Sequence, residues 1–250
     1  MLELSYMQWA VMILAGMIIG VSKTGLPGMA ILAVPLVASV IPAKESTGLI
    51  LPMLIVGDIF AVAFYRRHAV WGHLVKLMPY AVAGIILGSV VLNYVNNAQL
   101  KPIIGGIILA MIAVNYVRMW RIKDETSVPT AWWFPALLGL AAGMTTMMAN
   151  AAGSILVIYL MAMRLPKNEF LGTGAWYFLL LNCFKVPFSA GLGLINPHSL
   201  QFNLVLLPLI ILGALAGIGA AEAELARLPV SDRDAPLAFC EGLQELRGAA

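Results

Sequence analysis

The sequence predicts an all-α polytopic membrane protein built from two inverted repeats, each with a broken or re-entrant helix pair. Three observations lead there. Of 250 residues, 61% are hydrophobic and 11% charged, with mean hydropathy +0.92, whereas soluble domains run at roughly 45–50% apolar and about 25% charged. Apolar runs fall at 5–22, 27–41, 47–65, 74–95, 100–119, 131–149, 152–163, 170–190 and 201–220, most of them near the ~20 residues that cross a bilayer as helix. Two runs, 27–41 and 152–163, are short and stand at corresponding places in the two halves.

Tyr6 to Val21 is apolar apart from Gln8 and ends in "GVSKTGLPG". Glu3 stands where a cleaved signal would carry a basic residue, so this run is expected to be retained. A phosphate-binding loop is excluded, because that motif needs glycine immediately before its lysine and again six residues before it, where this chain has Ser22 and Met17. The short run 27–41 follows, opened by Pro27, and a proline, a glutamate and a glycine come after it at Pro42, Glu45 and Gly48. In the second half "MTTMMANAAG" precedes the short run 152–163, and Pro166, Glu169 and Gly172 repeat the spacing at an offset of 124. That offset sets Asp58 against Asn182. Farther on, Pro79, Gly84 and Gly88 match Pro208, Gly213 and Gly217. Two motifs in the same order mark a duplication, which divides the chain into a first repeat (1–124), a second (125–220) and a polar tail (221–250).

Loop charge orients the chain. One side carries Arg66, Arg67, Lys76, Arg118, Arg121, Lys123, Arg164 and Lys167, the other Lys44 and Lys101. The first is expected to be cytoplasmic and the N-terminus outside. The two repeats then start from opposite sides, and a pair of interrupted segments in matching positions points to a transporter's midplane site.

Candidate ligands gather at the interruptions. Lys23 is either a snorkelling lysine or an anion ligand; Ser22, Thr24 and the backbone around Gly25 and Gly28 would assist it, since a helix N-terminus favours an anion. Thr145, Thr146 and Asn150 hold the matching place as neutral donors, unless their groups bond back to the helix or across an interface. Asp58 and Lys185 lie in apolar context, where an isolated charge costs about 2.5–3.5 kcal/mol. They would pair structurally, or Lys185 would be a second cationic ligand and Asp58 a proton-coupling group. Asn182 shares the face of Lys185 at i, i+3. The Gly-x3-Gly pairs 16/20, 84/88, 139/143 and 213/217 are read as close helix packing, and Trp9, Trp71, Trp120, Trp132 and Trp133 as interfacial anchors.

Other classes find little support. The excess of 15 Lys+Arg over 12 Asp+Glu is small and scattered, so no nucleic-acid partner is expected. Cys183 and Cys240 match no disulfide or metal spacing, and His68, His73 and His198 form no ligand set. Neither a metal nor a cofactor is expected, and no catalytic triad or HExxH spacing occurs.

The run from "GVSKTGLPG" through "PLVASVIPAKESTGLILPMLIVGDIFAVAFYRRHAVWGHLVKLMP" resembles the TauE/SafE family of membrane permeases, also called sulfite exporters. The resemblance rests on Lys23, Thr24, Gly25 and Gly28, on Pro42, Lys44, Gly48 and Pro52, and on Asp58, Tyr65, Arg66, Arg67 and Trp71. "AAGSILVIYL" and "LPKNEFLGTGAWYFLLLNCFKVPF" extend it over roughly 8–220. It implies two repeats and the movement of sulfite, sulfonates or related anions across the cytoplasmic membrane. The end departs from the family pattern, which closes with a further helix: residues 220–250 hold nine charged side chains, and the tail is expected to be an exposed extension, with a shifted reading frame as one origin.

The expectation is therefore a non-enzymatic secondary transporter for a small anion in the inner membrane, with the bilayer and the anion as partners and a homodimer left open. The alternative is a membrane-embedded enzyme acting on a small or lipid-linked anion, with Asp58 as acid or base.

Overall fold

In the computed structural model, residues 5–25, 29–121 and 131–227 are described, and their regular structure is entirely helical. The elements are α1 (Tyr6–Thr24), a 3-10 turn (Met29–Leu32), α2 (Ala33–Val40), α3 (Ala43–Tyr65), a second 3-10 turn (Arg66–His68), α4 (Trp71–Tyr94), α5 (Asn97–Arg121), α6 (Trp133–Ala149), α7 (Ala152–Ala162), α8 (Lys167–Gly191) and α9 (Pro197–Arg227). Each apolar run has become a helix, the state that satisfies its backbone without water. Spans long and apolar enough to cross a membrane are Tyr6–Thr24, Ala43–His68, Trp71–Tyr94, Asn97–Val114 and Ser199–Ala220. The chain is a multi-pass membrane protein. The short runs are short helices: α2 and α7, with 8 and 11 residues, extend roughly 12 and 17 Å at 1.5 Å per residue, well under the ~30 Å hydrocarbon core. α9 continues to Arg227, beyond the residue-220 boundary expected from the sequence. Expectations for 228–250, and those for Pro27 and Gly28, lie outside the described residues.

The repeated Pro-x2-Glu is a helix start. Pro42 and Pro166 are the N-caps of α3 and α8, with φ −54°, ψ 143° and φ −54°, ψ 152°, and Glu45 and Glu169 sit in the first turns. Proline has no N–H to leave unpaired there, and a carboxylate complements the positive helix end. At α1 the start is a capping box, with Ser5 Oγ accepting from Gln8 N and Gln8 Oε1 accepting from Ser5 N.

Glycines let the halves interlock. α1 runs alongside α9, where a side chain at Gly20 would come 2.7 Å from Ala214 N and 2.9 Å from Gly213 C, and one at Gly213 would come 2.6 Å from Met17 O. α4 runs alongside α6 in the same way: Gly143 abuts the Ala81 backbone, and a side chain at Gly84 would come 2.8 Å from Met144 N. The first helix of each half thus packs against the Pro-x4-Gly-x3-Gly helix of the other. α3 and α8 cross antiparallel between these pairs. Gly48 abuts Leu194, Gly172 abuts Tyr65 to Ala69, and Asn182 Nδ2 donates to Asp58 Oδ2 at 2.7 Å near the middle.

The loops fall into two groups. At one end Thr173 Oγ1 accepts from Val70 N at 2.9 Å and the Trp176 indole donates to Arg66 O at 3.4 Å. At the other Asn97 Oδ1 accepts from Lys44 N at 2.8 Å. The basic 66–76 and 164–167 segments thus share an end, apart from Lys44 and Asn97.

Two outcomes follow. Gly20→Val and Gly143→Val each drive a side chain into facing backbone, so each should lower stability by about 1–3 kcal/mol, read as a lower midpoint of thermal unfolding in detergent; unchanged midpoints would show that these crossings are loose. Cysteines replacing Arg67 and Asn97 should differ towards an impermeant thiol reagent added outside cells, Asn97→Cys labelling and Arg67→Cys protected. The reverse pattern would invert the orientation inferred from loop charge.

Candidate functional site

Both helix breaks bring polar groups into the core. α6 ends at Asn150 in the left-handed region (φ 49°), with its N–H bonded to Thr146 O at 3.0 Å; asparagine tolerates this conformation better than most residues. The turn aims its side chain inwards, where Nδ2 donates to Thr47 O at 3.1 Å and Oδ1 accepts from Lys185 Nζ at 2.5 Å. At the first break Ser22 Oγ accepts from Ala30 N at 2.8 Å, satisfying a donor at the start of the returning segment.

Between the breaks runs a chain of charged and amide groups. Lys23 Nζ lies 2.7 Å from Asp58 Oδ1 and 4.2 Å from the centre of the Phe178 ring. Asp58 Oδ2 accepts from Asn182 Nδ2 at 2.7 Å, while Asn182 Oδ1 accepts from Lys185 Nζ at 3.5 Å. Thr146 Oγ1 accepts from the same ammonium at 3.2 Å. Asp58 is fully buried, as are Asn182 and Lys185 at 1% exposure. Each buried polar group thereby has the partners that make its burial tolerable. With both lysines protonated and Asp58 ionised, the cluster carries one net positive charge.

This chain borders a cavity of about 730 Å³, counting its mouth. Ser22, Lys23, Asp58, Thr146, Asn150 and Asn182 form its polar lining, from α1, α3, α6, the turn after α6, and α8. Leu54, Leu156, Leu160, Phe170 and Phe178 line it with apolar surface. Lys185 stands behind the wall, its ammonium holding Asn150 and Asn182 in place.

Of the residues the sequence nominates, Ser22, Lys23, Asp58, Thr146, Asn150, Asn182 and Lys185 come together. Three others are committed elsewhere. Thr24 Oγ1 donates to Ala214 O at 2.6 Å, Thr145 Oγ1 to Ala141 O at 2.7 Å, and the Gly25 N–H to Val21 O at 2.9 Å. A threonine hydroxyl in a helix readily bonds back to the carbonyl one turn earlier, as at Thr145. The buried carboxylate pairs with Lys23 and not, as one sequence alternative had it, with Lys185. Phe178 was not anticipated; its signal is its place four residues before Asn182 on one face of α8, with its ring under an ammonium.

A multi-pass helical membrane protein with a buried lysine–aspartate pair and a second buried lysine beside a cavity is the class that this fold and site define. Matching the family described as sulfite exporter TauE/SafE across residues 12–227, the chain belongs to that family, whose members are membrane transporters of sulfur anions. No curated protein and no solved structure matches it.

Lys185 bears on the site through its partners. Lys185→Met should leave the carbonyl oxygens of Asn150 and Asn182 without their donor at about 1–3 kcal/mol each, lowering the thermal midpoint clearly more than Thr145→Ala does. Equal midpoints for the two variants would show that the ammonium holds nothing in place.

Proposed function

We propose that the protein is a secondary transporter moving small monoanions, sulfonates and monovalent sulfite among them, across the cytoplasmic membrane, and that its halves are inverted repeats working around the cavity at Lys23. The observation that carries this reading is the ion pair of Lys23 with Asp58 on the cavity wall, with the amides of the second half closing on the same carboxylate. A carrier working by alternating access needs matched elements from both halves at one place, and the 124-residue offset between Asp58 and Asn182 supports that pairing.

The chemistry suits a monoanion. Lys23 carries the ammonium that lines the cavity, and once Asp58 is protonated a single negative charge pairs with it, whereas a dianion would bring a second charge without a cationic partner on the wall of a poorly solvated site. The cavity is divided as an organic sulfonate is, with donors for an oxyanion head and leucine and phenylalanine surface for an apolar remainder. An entering oxyanion competes with Asp58 for the Lys23 ammonium while the Ser22 and Thr146 hydroxyls supply neutral donors. Asp58 is the coupling group in this reading: when protonated it releases Lys23 to the anion, so anion and proton bind together. When it ionises it takes the lysine back and expels the anion.

Anion flux in proteoliposomes, across sulfite, thiosulfate, alkanesulfonates and carboxylates, tests this. A charge-assisted hydrogen bond contributes about 1.5–3 kcal/mol, so Lys23→Ala should weaken anion affinity roughly 10- to 150-fold, Lys23→Arg less. The Lys23→Ala, Asp58→Asn double variant, which removes both members of the ion pair together, should be equally weak. Asn182→Ala should also lower flux, whereas Thr145→Ala should stay within about twofold. Affinities within about twofold for every variant would reduce Lys23 to a structural, snorkelling residue.

A further inference from the structure

A second cavity, of about 1100 Å³ counting its mouth, lies where the ends of α4, α6 and α7 meet, away from the Lys23 site. Its polar lining is His73, Lys76, Tyr80, Trp132 and Tyr159; Val75, Pro79, Pro135 and Met163 supply apolar surface. His73, Lys76 and Tyr80 lie at i, i+3 and i+7 along one face of α4. Tyr159 is buried, and its hydroxyl lies 2.9 Å from His73 Nδ1, which fixes the imidazole at the rim. Lys76 is exposed and makes no ion pair among the described residues. Glu169 of α8 exerts its field on His73 but does not line the cavity.

We infer that this cavity binds the phosphate of an anionic phospholipid, with Lys76 and His73 on the phosphate and the apolar wall beside the first carbons of the acyl chains. Depth comes from the tryptophans: Trp71, Trp132 and Trp133 are 52%, 75% and 54% exposed, as side chains anchored at the headgroup level are. An unpaired lysine at that level calls for an anion, and a basic pocket between membrane helices on the cytoplasmic side is suited to an anionic headgroup. A lipid fits better than free phosphate because the lining is half apolar and continues into exposed aliphatic side chains of the same helices, Leu87 and Val90 on α4 and Leu137 on α6. This site is independent of the transport reading and stands or falls separately.

Native mass spectrometry of the full chain, released from detergent containing equal amounts of phosphatidylglycerol and phosphatidylcholine, tests the inference. Phosphatidylglycerol should be retained in excess by the parent, and Lys76→Ala should reduce the excess about fivefold, the effect of ~1 kcal/mol for one lysine at an anionic headgroup. Lys76→Arg should keep it, and the thermal midpoint of Lys76→Ala in detergent should match the parent, showing that the variant is folded. An equal yield of both lipids from the parent, or an undiminished excess in the Lys76→Ala, His73→Ala variant, would overturn the site. Displacement of the lipid by an equal concentration of inorganic phosphate would overturn its assignment to lipid.

Discussion

The structure depends on the burial of one carboxylate and two ammonium groups inside a membrane protein. Separately each would cost several kcal/mol in the interior, and together they offset much of that cost. Asp58 holds Lys23 with one oxygen and Asn182 with the other, and Asn182 in turn meets Lys185. The amide can do this because it donates and accepts at once, linking an anion to a cation without adding charge. The cavity beside it, with Lys23 and Asp58 on its wall, is what sets this cluster apart from a purely structural pair.

Such a network tolerates little misplacement, and the helix packing supplies the necessary rigidity. Backbone-to-backbone contact at Gly20 with α9 and at Gly143 with α4 fixes the frame, since close-packed small residues leave membrane helices little room to slide. Against that frame the two helix breaks put Ser22 and Asn150 at the cavity, Ser22 with its hydroxyl oxygen accepting from Ala30 N, and Asn150 with its amide nitrogen on a backbone carbonyl and its amide oxygen on Lys185. Irregular backbone at membrane depth persists only where protein or a wet cavity surrounds it, so the breaks and the cavity require each other.

Hydropathy located the helices because a bilayer permits few alternatives. The offset of 124 matched Asp58 with Asn182 as counterparts in sequence without saying that they touch; in the structure they share a hydrogen bond. Less legible was the direction in which each side chain points. Thr24 and Thr145 sit beside residues that line the cavity, yet an α-helix turns about 100° per residue, and their hydroxyls meet carbonyls instead. Phe178 looks in sequence like any apolar side chain of a membrane helix; only the approach of α1 brings an ammonium over its ring. The choice of Lys23 over Lys185 as partner of Asp58 was equally hidden, because it depends on how α1 and α8 approach α3 in space.

The central claim is that Asp58 and the transported anion compete for one ammonium. Isothermal titration of a monovalent alkanesulfonate into purified protein, comparing the parent with Asp58→Asn at fixed pH, tests it most directly. Removing the competitor while keeping the amide contact should tighten anion binding and uncouple it from proton uptake, so that the measured heat no longer depends on the ionisation enthalpy of the buffer. Weaker binding by Asp58→Asn, or a proton uptake unchanged from the parent, would contradict the account.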